Sequence, residues 1–203
     1  MLPFGLLRQG RLPVAFVVAG CMTFGMYGLL LLASLDLQQQ RGASALVTGL
    51  ELLPLPGLFA VLSPFIGNLV LRTGPRLPMT AGMAFMGAGL FAYAAAGGAA
   101  PLAQMELIFA LLGLGLALNT GPVVGVAVAS VSADRTGTAS GIVNLARMLG
   151  ATLGVAVLGA LAAGGTPKVG AGSLGGLSLA LTVGGGAEFA GAVLAWWGLR
   201  DRR

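Results

Sequence analysis

The chain has 203 residues, of which 57% are hydrophobic and only 8% charged, with a net charge of +5 at pH 7. A soluble domain normally carries about a quarter charged residues, so this composition excludes an ordinary soluble globule and predicts an integral membrane protein. The chain contains no histidine, which removes histidine-based nucleophile relays and the usual histidine metal sites. We therefore expect no metal and no cofactor. The single cysteine, Cys21, cannot form an intrachain disulfide and is expected to be a small buried hydrophobe.

The basic residues stand singly or in short clusters at the ends of apolar segments. A sequence pI near 10.7 is compatible with nucleic-acid binding, but a phosphate-binding face would gather its basic residues in one patch. The observed pattern fits the topology of a membrane protein better. The expected partner is the lipid bilayer, and no nucleic-acid partner is expected.

Six apolar stretches are each long enough for a helix that crosses the hydrocarbon core, which takes about 20 residues. They predict an all-α, polytopic membrane protein that forms a single transmembrane domain over residues 1–203. The first stretch is longer than the apolar core of a signal peptide and is expected to be retained. The predicted spans are residues 12–35, 46–71, 77–97, 102–131, 138–163 and 177–199.

Short connections make consecutive spans antiparallel, so the charged loops fall on alternate sides of the membrane. Only Arg41 and Lys168 lie on one side. By the positive-inside rule, both termini are predicted to be cytoplasmic, in a cell (plasma or inner) membrane. The other side holds eight arginines: Arg8, Arg11, Arg72, Arg76, Arg135, Arg200, Arg202 and Arg203.

Glycines and prolines within the spans predict close helix packing around a cavity, because small residues let another backbone approach. The alternative is that both residues are simply commoner in membrane helices. Three glycine pairs are spaced four residues apart: Gly121 and Gly125, Gly137 and Gly141, Gly150 and Gly154. Prolines, which tend to kink a helix, interrupt the spans at Pro54, Pro56, Pro64 and Pro122.

Four ionisable residues fall within the predicted spans: Glu51, Glu106, Arg147 and Glu188. A charge at the centre of a membrane helix costs about 2.5–3.5 kcal/mol or more and points to function. Arg147 and Glu188 are central in their spans. Glu51 and Glu106 lie near helix ends, where a carboxylate can equally well reach water.

The fifth span carries a stripe of small and polar residues that includes Ser140, Asn144 and Arg147. Steps of three and four place them on one helix face together with Gly137, Gly141, Ala151 and Gly154. Such a face is expected to meet protein or water. Two interpretations stay open. Arg147 is either a clamp paired with Glu188 or with exposed backbone carbonyls, or part of a polar pathway for substrate or protons.

Residues 133–159, "ADRTGTASGIVNLARMLGATLGVAVLG", resemble the penultimate-helix region of fourteen-helix drug:proton antiporters of the major facilitator superfamily. The family pattern is G-x-ASG-x-x-N-x-x-R followed by a glycine-rich helix, although Met148 stands where a glutamine commonly follows the arginine. Residues 27–54 resemble the first helix, loop and second helix of the C-terminal half. "GPVVG" at residues 121–125 is similar to an antiporter motif, but it lies on the fourth span, where that motif does not belong.

"GNLVLRTGPR" resembles the family's cytoplasmic loop motif, G-x-L-x-D-R-x-G-R, through Gly67, Arg72 and Gly74 and, one residue later than in the motif, Arg76. Leu71 occupies the aspartate position, so the motif's charge relay is expected to be absent.

The resemblance covers the C-terminal six-helix half of such a transporter. It implies that spans one and four line a central cavity, that two and five face the other half, and that three and six lie outside. It further implies proton-coupled efflux of hydrophobic, often cationic compounds by alternating access. The expected partners are a small-molecule substrate of that kind and either an N-terminal half or a second copy of the chain. The alternative function is that of a non-transporting remnant or membrane assembly partner, and an enzyme is not expected.

Overall fold

The computed structural model describes residues 10–96, 100–164 and 174–200. Seven α-helices lie in these ranges, and together they provide six segments long and apolar enough to span a membrane. The all-α, six-span fold class predicted from the sequence is confirmed. The helices are α1 (Leu12–Leu35), α2 (Ala45–Leu52), α3 (Pro54–Thr73), α4 (Arg76–Ala96), α5 (Leu102–Ala129), α6 (Thr136–Ala163) and α7 (Leu174–Gly198).

The second span is divided between α2 and α3. The Ser44 hydroxyl accepts a hydrogen bond from the Val47 amide and begins α2. The break at Leu53 comes directly before Pro54 and Pro56, which can occupy the first turn of a new helix because their missing N–H groups have no partner there. Gly74, at a φ of 75°, ends α3.

Prolines inside a helix do not end it everywhere in this chain. Pro64 lies within α3 and Pro122 within α5, and both helices continue past them. Each proline lacks the N–H that would bond the carbonyl four residues earlier, so a polar backbone group is released in each helix.

Helices α5 and α1 occupy the middle of one layer, with α3 beside α5 and α6 beside α1. Helices α4 and α7 form a second layer, in which α4 packs on α5 and α7 packs on α1. The core between the layers is made of leucine, methionine, alanine and glycine, with Tyr93 and Phe109 as its largest buried side chains.

The tightest crossing is that of α1 with α6. A Cβ placed on Gly150 would collide with the Gly20 carbonyl and the Thr23 hydroxyl, and one placed on Gly154 would collide with the Phe24 carbonyl. These two glycines therefore let the backbones meet directly.

Candidate transport face

Arg147 links three helices at the face of the bundle formed by α5, α1 and α6. Its guanidinium Nη2 donates a 2.9 Å hydrogen bond to the Thr120 carbonyl of α5. Its own carbonyl accepts a 2.9 Å hydrogen bond from the Thr23 hydroxyl of α1. Tyr27, also on α1, is exposed and lies within electrostatic range of the guanidinium. The side chain is half-buried, and its Nε has no hydrogen-bond partner among the described residues.

Glu188, one of the two partners considered for Arg147 as a clamp, does not contact it. Glu188 lies on α7, is fully buried, and receives no hydrogen bond from any described residue. Its Oε1 packs against Gly25 of α1, whereas Arg147 extends towards α5. Of the two compensating groups considered, the backbone carbonyl is the one that Arg147 contacts. The stripe on α6 predicts from which side of that helix Arg147 projects. It does not predict that α5 supplies the carbonyl oxygen that accepts the hydrogen bond.

The stripe itself divides between two environments. Gly150 and Gly154 are buried against α1, as described above. Nearer the start of α6, Asn144 is exposed, and no described atom of another segment would lie within 4 Å of a Cβ on Gly137 or Gly141. We call Gly137, Ser140, Gly141, Asn144 and Arg147 the α6 polar face. The Ser140 hydroxyl is bonded to the carbonyl of Thr136 in its own helix, so it ties no second helix to this face.

A cavity of about 840 Å³ lies between α3 and α5 at the end of the bundle that holds Arg11. Gly121, Pro122 and Gly125 of α5 line it from one side, and Pro64 and Gly67 of α3 from the other. A Cβ on Gly121, Gly125 or Gly67 would find no neighbouring atom within 4 Å. These glycines therefore widen a cavity and do not mark a close helix contact.

The loop motif at residues 67–76 ties α4 to α7. The Arg76 Nε donates a 2.9 Å hydrogen bond to the Trp196 carbonyl, and its guanidinium lies 3.5 Å from the centroid of the Trp196 ring. Arg72 lies in the last turn of α3, and Leu71, in the aspartate position, is 85% exposed. Arg76 thus bonds the end of a helix within this bundle.

Sequence reasoning missed a cluster of polar residues at the other end of the bundle, which we call the Asp36 cluster: Asp36, Arg41, Glu51 and Tyr93. Asp36 is 3% exposed and accepts a 3.1 Å hydrogen bond from the Tyr93 hydroxyl. Arg41 and Glu51 also lie within electrostatic range of that hydroxyl. The stretch "SLDLQQQR" carries the signal for this cluster, because its aspartate directly follows an apolar run, one residue beyond the predicted end of the first span.

The two peripheral glutamates differ. Glu51 is half-buried and belongs to the Asp36 cluster, with a buried Oε2 that has no hydrogen-bond partner among the described residues. Glu106, in the first turns of α5, is exposed. The structure brings neither of them to Arg147.

Comparisons with known proteins place these observations in a family. The family model of the Major Facilitator Superfamily matches residues 15–203. Over 80% of its length the chain is 37% identical to the multidrug resistance protein Stp of Mycobacterium tuberculosis, in an alignment that covers 30% of that protein. It is 33% identical to the tetracenomycin C resistance and export protein of Streptomyces glaucescens, again over 80% of this chain and 30% of the relative.

A third relative, the puromycin resistance protein pur8 of Streptomyces alboniger, is 30% identical over 97% of this chain and 42% of its own length. The chain therefore spans less than half the length of these curated relatives. With a match over nearly all its residues and six helices that can cross a membrane, the chain belongs to the Major Facilitator Superfamily and is a multi-pass membrane protein of a transporter family, not an enzyme.

Proposed function

We propose that this chain forms one six-helix bundle of a drug exporter that exchanges protons for hydrophobic, often cationic compounds across the cell membrane. A second six-helix bundle completes the transporter, and the two rock about a site between them. The names of the relatives support the substrate class, because they describe multidrug resistance, drug export and antibiotic resistance.

The observation that carries this proposal is the uneven burial of the six spans. Within their most apolar windows, the second and fifth spans have 11% and 22% of their residues buried, against 44–61% for the other four. The fifth span is also the one that presents Asn144 and Arg147. Polar groups left facing lipid cost several kcal/mol each, so a protein surface is needed to cover them. An N-terminal bundle supplies it, or else a second copy of this chain.

Glu188 is the proposed proton-binding group within the bundle. It is fully buried between α1, α4 and α7, and both its carboxyl oxygens lack hydrogen-bond donors among the described residues. An unpaired carboxylate in such surroundings is very unfavourable, so the side chain holds a proton in this conformation. A rearrangement that opens the contact with Gly25 to water would release that proton, which links it to the preferred state of the transporter. Glu106, which is exposed, is the weaker proton-carrying candidate.

Orientation follows from the charged ends of the bundle. Arg11, Arg72, Arg76 and Arg200 lie at one end and Arg41 at the other. The positive-inside rule assigns the arginine-rich end to the cytoplasm, with both termini. Lys168, the second basic residue expected outside, falls beyond the described residues.

The test is drug transport by an Arg147 variant in everted vesicles made from the cells that produce the protein naturally. With ethidium as the fluorescent cation and an imposed pH gradient, we expect Arg147→Met to lower the transport rate at least about tenfold, as the loss of about 1.4 kcal/mol of interaction would. Arg200→Met, which removes a cation outside the transport face, should leave the rate unchanged. Unchanged transport by Arg147→Met at equal protein levels would refute the pathway and favour a non-transporting assembly partner.

A further inference from the structure

Both tryptophans of the chain are consecutive residues near the end of α7, and each has an arginine over its ring. The Arg76 guanidinium lies 3.5 Å from the centroid of the Trp196 ring, and that of Arg200 lies 4.6 Å from the centroid of the Trp197 ring. Both tryptophans are exposed, so their rings form part of the outer surface of the bundle. Tryptophan is enriched where the hydrocarbon core meets the lipid headgroups, because its ring is amphipathic. This end of α7 therefore has the composition of a segment at the membrane–water interface.

Arg76 is held in one position before any ligand arrives. Its Nε donates a 2.9 Å hydrogen bond to the Trp196 carbonyl while its guanidinium lies over the Trp196 ring. An arginine carries five N–H donors in a planar fork that matches the oxygens of a phosphate. With Nε engaged, the N–H groups of Nη1 and Nη2 remain, and they donate to no other residue that the structure describes. Because the side chain is already ordered, a phosphate that binds it costs little further side-chain entropy.

Arg200 adds a second cation at the same end of α7. Its backbone N–H bonds the Trp197 carbonyl, so helical bonding continues to this residue, and its side chain is exposed. Within the described ranges, no carboxylate lies within 4.0 Å of the Arg76 or Arg200 guanidinium. The next three residues, Asp201, Arg202 and Arg203, add one negative and two positive charges and lie outside the described residues. This end of α7 thus carries an excess of positive charge.

An apolar stripe leads from the tryptophans along α7 towards the middle of the membrane. Phe189, Val193 and Trp197 follow one another at four-residue steps, and all three are exposed. From Trp197 to Phe189 the stripe is about 12 Å long at 1.5 Å per residue. Phe189 stacks on Phe91 of α4, with the ring centroids 5.7 Å apart, so α4 shares this surface. A cationic end on an exposed apolar stripe matches a molecule with an anionic head and an apolar tail.

We propose that this end of α4 and α7 binds an anionic phospholipid, with the phosphate at Arg76 and one acyl chain along the stripe from Trp197 to Phe189. Arg200 adds positive charge beside the headgroup. Phosphatidylglycerol carries a net negative charge, which these arginines attract, whereas the ammonium group of phosphatidylcholine adds a positive charge that they repel. Helices α4 and α7 form the layer away from the transport face, so a second bundle that covers that face leaves this surface to lipid. Lipid binding here does not depend on transport.

The experiment measures which lipid lies beside Val193, one turn from Trp197 on the same stripe. With Cys21 replaced by alanine, a bimane fluorophore is attached to a cysteine at Val193, and the full chain is reconstituted in phosphatidylcholine vesicles. About one tenth of the lipid carries a nitroxide on its acyl chain, which quenches a neighbouring fluorophore, under either a phosphatidylglycerol or a phosphatidylcholine headgroup.

We expect the association constant of the phosphatidylglycerol at Val193 to exceed that of the phosphatidylcholine about fivefold, the ratio that one arginine near a membrane surface supplies. A fluorophore at Leu179 is the matched control, because Leu179 is exposed on the same helix and lies about 21 Å from Val193 along it. The ratio there should be near one. Equal ratios at the two positions overturn the proposal.

Three substitutions locate the preference. Arg76→Gln should lower the ratio at Val193 to near one, and Arg76→Lys, which keeps the charge, should keep most of it. Arg72→Gln, which removes an exposed arginine in the last turn of α3, is the matched control and should leave the ratio unchanged. A preference that survives Arg76→Gln, or that Arg76→Lys or Arg72→Gln lowers as much, overturns the proposal. Excess inorganic phosphate should leave the preference unchanged, and its loss would show that the site binds free phosphate and not a lipid.

Discussion

Arg147 shows at the scale of one residue how a membrane bundle can hold a cation without a carboxylate. Its guanidinium reaches the Thr120 carbonyl, and the Thr23 hydroxyl bonds its backbone from the other side. A hydrogen bond from a charged donor contributes about 1.5–3 kcal/mol in proteins. The carbonyl compensates part of the charge, and the Nε is buried without a hydrogen-bond partner among the described residues.

A double-mutant cycle tests the separation of Arg147 from Glu188. Arg147→Met should lower the free energy of unfolding, because the Thr120 contact is lost, and adding Glu188→Gln should restore nothing. We expect a coupling energy below about 0.5 kcal/mol, as for residues that share no contact. The measurement is reversible unfolding in mixed micelles. Recovery of stability in the double variant would show that the two side chains pair after all.

Alanine substitutions at two glycines of α6 are expected to change the stability of the bundle in opposite directions. Gly154→Ala should destabilise the isolated bundle by about 1–3 kcal/mol, because the new methyl group meets the Phe24 carbonyl, which cannot move aside. Gly141→Ala should be neutral or stabilising by up to about 1 kcal/mol, because alanine is the better helix former and the space is open. Thermal unfolding of the two variants in nanodiscs gives the comparison, and equal effects would contradict the α1–α6 crossing.

At the scale of single residues, the sequence predicted which residues share one side of a helix, because helical geometry alone decides this. The three- and four-residue steps located Arg147 and Asn144 on one side of α6, since helical geometry fixes this. Sequence reasoning failed where the answer lies on another helix. Glu188 pairs with no described residue, and Asp36 meets Tyr93, 57 positions away in the sequence. No local pattern contains such a contact.

At the scale of elements, apolar length was enough to count six spans, because a membrane helix must satisfy its own backbone. The break between α2 and α3 was harder to place. Pro54, Pro56 and Pro64 have similar local chemistry, yet the helix ends before the first pair and continues through Pro64. A proline leaves the carbonyl four residues earlier without its helical hydrogen bond. Whether the helix continues depends on which neighbouring groups bond that carbonyl, and the sequence does not show those groups.

The contact between Arg76 and Trp196 should hold the end of α7. A cation–π contact of this kind contributes about 0.5–1 kcal/mol at exposed sites, and the hydrogen bond to the Trp196 carbonyl adds to it. Arg76→Ala should therefore make amide hydrogen exchange in the last turn of α7 about 3- to 10-fold faster. Arg200→Ala, which removes the other arginine on a neighbouring tryptophan, is the control and should change exchange less. Unchanged exchange in Arg76→Ala would mean that the contact contributes nothing to the helix end.

For the whole molecule, orientation in the membrane is the first prediction to test. With Cys21 replaced by alanine, a cysteine introduced at Gln39 should react with an impermeant maleimide added outside intact cells. One introduced at Thr73 should react only after the membrane is opened. Both positions are exposed in the structure, so burial does not confuse the result. The reverse pattern would invert the topology and move the Asp36 cluster to the cytoplasmic side.

The central claim is that a second bundle covers the face of α6 that carries Arg147. A nitroxide at Met148, 52% exposed on α6, measures this through collisions with dissolved oxygen, which is concentrated in lipid. A nitroxide at Val193, 57% exposed on α7, serves as the lipid-facing reference. In membranes that show drug efflux, we predict a collision rate at Met148 at least severalfold below that at Val193. Equal, lipid-like rates at the two positions during active efflux would contradict the account.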